Sequence, residues 1–181
     1  MKAIKNMSQL ELGAYVQTYL SQNGARVVLS GGAAVTYYTE AKYVSKDLDM
    51  INVGAVKRTT LRSLMKEIGF KEEGRYFSHP ENRFIVEFPE GPLSVGDEPI
   101  VRINTVKFET GTLNLITVTD CLKDRLAAYF HWGDRQCLSQ AVMIVHSNNI
   151  DLGEIKIWSK EEGMLEKYHL FEKELLLTKK E

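Results

Sequence analysis

Two aspartates separated by one leucine, Asp47-Leu48-Asp49, form the part of the sequence best suited to chemistry. The surrounding segment, Leu48–Val53, has the composition of a strand, and residues two apart on a strand point to the same face. Both carboxylates therefore project side by side, while Leu48 points to the opposite face. Like charges held together repel, and a hard divalent cation such as Mg²⁺, which prefers oxygen ligands, relieves that repulsion. The spacing predicts a site for a divalent cation.

A glycine-rich turn, Ser30-Gly31-Gly32, precedes the aspartates in the chain. It follows a short apolar strand, Arg26–Leu29, and opens a predicted helix, Ala33–Tyr38. Glycines let the backbone approach a ligand, and a helix start presents free N–H groups, which together suit phosphate oxygens. Each pattern alone is more often a simple turn or a solvated strand end. Found together and in this order, they predict a phosphate site beside a cation site, with a chance match as the alternative.

Capping patterns indicate where the helices around these segments begin. Ser8 and Glu11 have the spacing of a capping box, which predicts that a helix begins at Ser8. The same spacing recurs three times further along the chain: Thr117 with Asp120, Asp151 with Glu154, and Ser159 with Glu162. The elements follow the order helix, strand, helix, strand, helix, several strands and then helices. This order predicts a mixed sheet flanked by helices, of the α+β (α/β) class, with a helical C-terminal part.

The change from strands to helices near residue 117 predicts the organisation of the domain. We expect residues 1–116 to form the sheet core and residues 117–181 to form a helical part packed on it, as one compact unit. The last predicted helix, residues 164–177, carries apolar residues that can dock on the core or on another subunit. Docking on the core is the expectation.

The composition limits the class of protein. The chain has 181 residues, 44% of them hydrophobic, with 23 Lys and Arg against 24 Asp and Glu. This mixture is typical of a globular domain, and the net charge of -1 argues against a protein that grips a long nucleic-acid duplex. It excludes little about a nucleotide or a single RNA end. No zinc pattern, signal peptide or bilayer-spanning apolar run is present, so we expect a cytoplasmic protein with two reduced cysteines, Cys121 and Cys137.

Residues 27–52 resemble the DNA polymerase β-like nucleotidyltransferase superfamily. The residues that carry the resemblance are Gly31-Gly32, the helix after them, and Ser45-Lys46-Asp47-Leu48-Asp49. They are most similar to the AbiEii-type nucleotidyltransferases of bacterial abortive-infection and toxin–antitoxin systems and to related uncharacterised domains. The similarity is looser over residues 117–145. The resemblance implies Mg²⁺-dependent transfer of a nucleoside monophosphate from a nucleoside triphosphate to an RNA end, a protein or a small molecule, in a toxin–antitoxin or phage-defence context.

The resemblance also implies a role for each matched residue. Ser30, Gly31 and Gly32 would hold the triphosphate, and Asp47 and Asp49 would ligate Mg²⁺. Two metal ions would hold the attacking hydroxyl and the leaving pyrophosphate in line.

Superfamily members usually add a third carboxylate from a later strand, and Glu87 is the candidate here. It lies on the alternating strand Phe84–Phe88 and points away from the three apolar residues of that strand. A surface glutamate on an edge strand is the alternative for Glu87, and Glu72 and Glu109 are weaker candidates for the same role.

Two cations at the start of the helical part, Lys123 and Arg125, are candidates for phosphate contacts. A run such as Lys123-Asp124-Arg125 is more typical of a solvated helix face. AbiEii-type sequences often carry an arginine two residues before the motif serine, where this chain has Tyr43. A tyrosine cannot supply a bidentate guanidinium, so this departure predicts different substrate contacts or a reduced activity.

The main alternative is a protein of the same fold without catalysis, either a nucleotide sensor or an antitoxin-like partner module. Such a module would need no metal and no third carboxylate. Asp47 and Asp49 are both intact, which favours the enzyme, because a site without catalysis has no physical reason to keep two repelling carboxylates.

Overall fold

A seven-stranded mixed sheet lies at the centre of the structure, a computed structural model that describes residues 2–178. Nine strands follow one another along the chain: β1 (Val27–Ser30), β2 (Asp47–Asn52), β3 (Lys71–Glu73), β4 (Tyr76–His79), β5 (Asn82–Glu87), β6 (Ser94–Val95), β7 (Glu98–Pro99), β8 (Ile103–Phe108) and β9 (Gly111–Ile116). The large sheet has the order β3-β4-β5-β2-β1-β9-β8, while β6 and β7 form a separate small hairpin.

Seven α-helices surround the sheet within the described range: α1 (Gln9–Gln22), α2 (Gly31–Tyr38), α3 (Arg58–Glu67), α4 (Val118–Trp132), α5 (Arg135–Ser147), α6 (Leu152–Glu161) and α7 (Leu165–Thr178). A short 3-10 turn, Ile4–Asn6, precedes them. The predicted mixed sheet with flanking helices and a helical C-terminal part is confirmed. None of the helices in residues 2–178 is both long enough and apolar enough to cross a membrane.

The two central strands, β1 and β2, have neighbours of mixed direction. β1 is antiparallel to β2 and parallel to β9, and β2 is in turn parallel to β5. Because β2 runs opposite to β1, the start of β2 lies at the end of β1, where Ser30 is opposite Asp49. This topology places the glycine-rich turn and the aspartates at the same end of the sheet.

Alternation along the strands divides the sheet into two faces. Leu48 and Met50 of β2 are fully buried, and Leu48 meets α1 at Gly13, where an added Cβ would lie 3.2 Å from its side chain. Helix α1 therefore covers this face. Asp47 and Asp49 point to the other face, whose centre is covered by the segment 92–100 and by α4.

Most of the predicted helix starts agree with the structure. Ser8 and Glu11 form both hydrogen bonds of a capping box, and the Thr117 hydroxyl accepts from the Asp120 backbone N–H. The start predicted at Ser159 is wrong. Ser159 lies inside α6, fully buried, and its hydroxyl donates to the Ile155 carbonyl at 2.8 Å. Ser159 is an interior helix residue and not an N-cap, because its burial outweighs its capping spacing.

The last helix, α7, packs on the rest of the helical part. Tyr168 and Phe171 are buried, and the Tyr168 hydroxyl donates to the Leu152 carbonyl at 3.0 Å. Leu170 and Leu176 remain exposed. Residues 179–181 of the predicted helical part lie outside the described residues. Both cysteines are buried and free, as predicted.

Candidate active site

Three carboxylates, those of Asp47, Asp49 and Glu87, meet on one face of the sheet. β2 and β5 are parallel neighbours, and their register places Asp49 directly beside Glu87. Each of the three side chains offers an oxygen, and these oxygens all lie within 4.8 Å of one another. We call this group the carboxylate cluster. The structure thus brings together the three residues predicted as metal ligands, and an oxygen-only donor set fits a hard cation such as Mg²⁺.

The two weaker candidates for the third carboxylate lie elsewhere. Glu72 on β3 forms ion pairs with Arg58 and Arg62 of α3. Glu109 is exposed in the turn between β8 and β9. Neither belongs to the carboxylate cluster, whereas Glu87 does.

The electrostatics of the carboxylate cluster explain why it suits a cation. Burial raises the pKa of the Asp49 carboxyl to about 7, and the charges of Asp47 and Glu87 add to this rise. Without a counter-charge, Asp49 is therefore partly protonated near neutral pH. A cation bound among the oxygens would compensate both the burial and the repulsion, and the residues present fit such an ion.

Gly31 and Asp49 touch where the glycine turn, Ser30-Gly31-Gly32, meets the carboxylate cluster. Gly31 has φ +63°, and a Cβ added to it would lie 2.1 Å from Asp49 Oδ2. No larger residue fits there without moving the carboxylate. Gly31 also begins α2, and the Ser30 side chain makes no capping hydrogen bond to that helix. The first N–H groups of α2 therefore lie next to the cluster without a side-chain cap, an arrangement that suits phosphate oxygens.

The second glycine of the turn packs against the segment that leads into β2. A Cβ on Gly32 would lie 2.8 Å from the Ser45 Cβ and 3.5 Å from the Tyr43 hydroxyl. Tyr43 is thus beside the glycine turn. Its hydroxyl accepts a hydrogen bond from Gln136 Nε2 of α5 at 3.4 Å. The tyrosine therefore links the turn to the helical part.

Lys123, a candidate for phosphate contacts, is held by two carboxylates. Its side chain is 5% exposed, and its Nζ lies 3.0 Å from Glu98 Oε2 and 3.3 Å from Glu154 Oε1. The positive charge of Lys123 is already matched between the β6–β7 hairpin and α6. This contact gives Lys123 a structural role in joining these elements.

Arg125, the second cationic candidate, acts on the predicted site through its charge. Its Nε donates to Asp124 Oδ2 at 3.1 Å, and its Nη1 donates to Gln140 Oε1 at 3.3 Å. Burial raises the pKa of Tyr43, and the positive charge of Arg125 partly offsets that rise. The same charge acts against the raised pKa of Asp49. The guanidinium therefore influences both the glycine turn and the carboxylate cluster.

Two residues at the site were not predicted from the sequence. Arg75, in the turn between β3 and β4, places its Nε 3.2 Å from Glu87 Oε1. Gln9, in the first turn of α1, donates to the backbone of Asp47 at 2.9 Å. A sequence signal for Arg75 would require the β4–β5 register, which puts Tyr76 opposite Glu87. Gln9 lacks even that signal, because it contacts β2 only through tertiary packing.

Two solved structures of ANT(2'')-Ia have a similar fold. The crystal structure of ANT(2'')-Ia in complex with adenylyl-2''-tobramycin has 13% sequence identity and a TM-score of 0.51, covering 85% of this chain and 95% of that one. The solution structure of this antibiotic-resistance factor has 11% identity and a TM-score of 0.51, covering 86% and 93%. No protein-family model and no curated protein sequence matches the chain. The likeness lies in the fold alone: this chain has a nucleotidyltransferase-like mixed sheet flanked by helices, the fold expected from its sequence.

Proposed function

We propose that the protein is a Mg²⁺-dependent nucleotidyltransferase, which moves a nucleoside monophosphate from a nucleoside triphosphate to a hydroxyl group of an acceptor. One observation carries the proposal: three carboxylates converge beside an uncapped glycine turn, on a fold shared with ANT(2'')-Ia. Either feature alone would be weak. Together they supply the two things that the reaction needs, a cation site and a phosphate site, in contact with each other.

Each part of the site has a role in this proposal. The backbone N–H groups after Gly31 and Gly32 bind the triphosphate, and Asp47, Asp49 and Glu87 hold the metal. When bound, Mg²⁺ would neutralise the carboxylates and polarise the phosphate oxygens. The acceptor oxygen forms a bond to the α-phosphorus, the bond to the pyrophosphate breaks, and the hydroxyl proton passes to solvent. The main contribution of the protein is to hold these groups in the geometry of the reaction.

Two different likenesses bear on the acceptor and on the biological context. The crystal structure of ANT(2'')-Ia holds adenylyl-2''-tobramycin, a nucleotide joined to a small molecule. The resemblance to AbiEii-type proteins favours an RNA end or a protein, in a cytoplasmic toxin–antitoxin or phage-defence setting. The proposed acceptor is therefore a small molecule, an RNA end or a protein, and one assay distinguishes the three.

That assay follows label from each α-³²P nucleoside triphosphate into total RNA, total protein or an aminoglycoside, with and without Mg²⁺. The control is the double variant Asp47→Ala plus Asp49→Ala, whose folding is checked by circular dichroism. We expect Mg²⁺-dependent transfer into one acceptor class, lost in the variant. Mg²⁺-dependent nucleotide binding with no transfer would favour the binding module instead, and the absence of both would overturn the proposal.

A further inference from the structure

The Gln9 side chain is buried directly behind the carboxylate cluster. It is 2% exposed, and its Nε2 lies within hydrogen-bonding distance of three oxygens. These are the Ser45 carbonyl at 3.1 Å, the Ser45 hydroxyl at 2.7 Å and the Asp47 carbonyl at 2.9 Å. Both carbonyls can only accept, so the amide must turn its N–H₂ group toward them. Gln9 Oε1 has no hydrogen-bond partner among the described residues, so the side chain is held by its donors.

The contact replaces a strand partner that Asp47 lacks. β1 ends at Ser30, which is opposite Asp49, so no residue of β1 lies opposite Asp47. On the other side of β2, Asp47 is paired with Ile85 of β5. Gln9 therefore hydrogen-bonds the side of Asp47 that faces away from β5. Asp47 is the residue at which the chain leaves the irregular segment 42–46 and enters β2.

Ser45 extends this contact to the glycine turn. Its hydroxyl donates to the Asp47 carbonyl at 2.7 Å, and its backbone N–H donates to Thr36 Oγ1 of α2 at 3.3 Å. The space for a Cβ on Gly32 is filled by the Ser45 Cβ, 2.8 Å away. Ser45 thus lies between the helix that begins at the glycine turn and the strand that carries Asp47. A displacement of Ser45 would change the distance between these two parts of the site.

We propose that Gln9 is a positioning residue that sets the Asp47 carboxylate relative to the glycine turn. This inference rests on the proposed function, because it assigns Gln9 to the metal site. The physical argument is that the three carboxylates repel one another, and the backbone of Asp47 must resist that repulsion for the oxygens to remain convergent. The two N–H groups of this buried amide, shared among the Asp47 carbonyl and the two Ser45 oxygens, supply the resistance. Residues that orient metal ligands from behind are typically worth about 10- to 100-fold in metal affinity.

Gln17 provides a matched control on the same helix. It is 3% exposed, its Nε2 donates to the Asn114 carbonyl at 2.9 Å, and its Oε1 accepts from the Asn114 N–H at 2.8 Å. Gln9 and Gln17 are therefore both buried glutamines of α1 that bond to strand backbone. They differ in the strand that they reach, since Asn114 lies on β9 and Asp47 on β2.

The test compares Gln9→Leu with Gln17→Leu by Mn²⁺ titration, with electron paramagnetic resonance reporting the free ion and thermal melting reporting stability. We expect both variants to melt at lower temperatures than the wild type. Gln9→Leu should bind Mn²⁺ about tenfold more weakly, and Gln17→Leu should bind within twofold of the wild type. Equal Mn²⁺ affinity in the two variants would overturn the inference and leave the proposed function intact.

Two further samples keep the result decisive. If Gln9→Leu does not fold, Gln9→Met, which keeps the unbranched shape and removes the amide, replaces it: a severalfold loss of Mn²⁺ affinity supports the inference, and an unchanged affinity overturns it. Wild-type protein is compared with the variant Asp47→Ala plus Asp49→Ala. If the wild type binds Mn²⁺ no better than that variant, the proposed metal site fails and the role of Gln9 falls with it.

Discussion

Arg75 Nε lies 3.2 Å from Glu87 Oε1, so one member of the carboxylate cluster is already paired with a cation. The arginine side chain is 70% exposed and its guanidinium also lies over the Tyr76 ring, 4.8 Å from the centroid. An exposed pair of this kind is weak and exchanges readily with solvent. Arg75 is therefore a replaceable counter-charge, which would have to leave Glu87 if a metal ion bound that oxygen.

Replacing Arg75 should accordingly strengthen metal binding. We expect Arg75→Ala to bind Mn²⁺ roughly two- to fivefold more tightly than the wild type, the range expected from the loss of one exposed ion pair. The measurement is a Mn²⁺ titration at low ionic strength. Arg83→Ala is the control, because Arg83 is exposed on the same strand as Glu87 and lies over the Phe84 ring. Weaker binding in Arg75→Ala would show that the arginine supports the metal site and does not compete with it.

Asp49 should make the metal-free protein less stable as the pH rises. Its folded pKa is about 7, above the ordinary value of 3.8, so folding disfavours the charged carboxylate. The protonated carboxyl contributes its full share to the free energy of unfolding below about pH 4, and this share is lost as the pH rises through 7. Asp49→Asn removes this titration. At pH 8, in the presence of a chelator, we expect the variant to melt about 5 °C higher than the wild type. This difference in melting temperature should disappear toward pH 4.

Magnesium provides the internal check on that comparison. Added Mg²⁺ should raise the melting temperature of the wild type more than that of Asp49→Asn, because only the wild type regains a counter-charge for the buried carboxylate. A gap between the two proteins that does not change with pH would contradict the raised pKa.

Gly31 should tolerate no side chain, for a reason separate from its backbone angle. We expect Gly31→Ala to lose at least about tenfold in Mn²⁺ affinity, because the new Cβ would displace Asp49 Oδ2. Gly24→Ala is the matched control: Gly24 has φ +79°, and an added Cβ there meets nothing within 4 Å. Both variants carry the strain of an alanine at positive φ, about 1 kcal/mol. Loss of Mn²⁺ binding in both would point to general destabilisation.

Lys123 separates a structural role from phosphate binding. Because its ammonium already bonds Glu98 and Glu154, we expect Lys123→Met to lower the melting temperature. Its affinity for a fluorescent nucleoside triphosphate, measured by anisotropy, should stay within about twofold of the wild type, the change expected when no charge-assisted hydrogen bond to the ligand is lost. A tenfold loss of nucleotide affinity in a folded variant would instead support the phosphate contact predicted for Lys123 from the sequence.

The sequence predicts the parts of the site that depend on local pattern. Asp47 and Asp49 share a face because residues alternate along a strand, and Glu87 alternates in the same way with the buried Phe84 and Val86. The meeting of these two strands depends on the parallel β2–β5 register, which follows from the fold expected through the resemblance and not from spacing. The particular likeness to AbiEii-type proteins and the division of the chain at residue 117 stay predictions.

Residues that act across the fold could not be predicted in this way. Gln9 has the sequence appearance of any first-turn helix residue, and its role depends on how α1 crosses the sheet. The β6–β7 hairpin escapes periodicity because each strand has two residues, too few to alternate. The wrong helix start at Ser159 has the same origin, since capping spacing is local and burial within α6 is not.

The parallel pairing of β2 with β5 has a consequence for the dynamics of the sheet. These strands are separated in the chain by α3 and by the β3–β4 hairpin, yet each contributes to the same carboxylate cluster. A bound cation would link the two strands and stabilise the paired form of β2 and β5 by mass action. Amide hydrogen exchange along β2 and β5 should then slow as the cation concentration rises, while exchange along β8, at the far edge, should not. The ion would set how often the sheet opens at its centre.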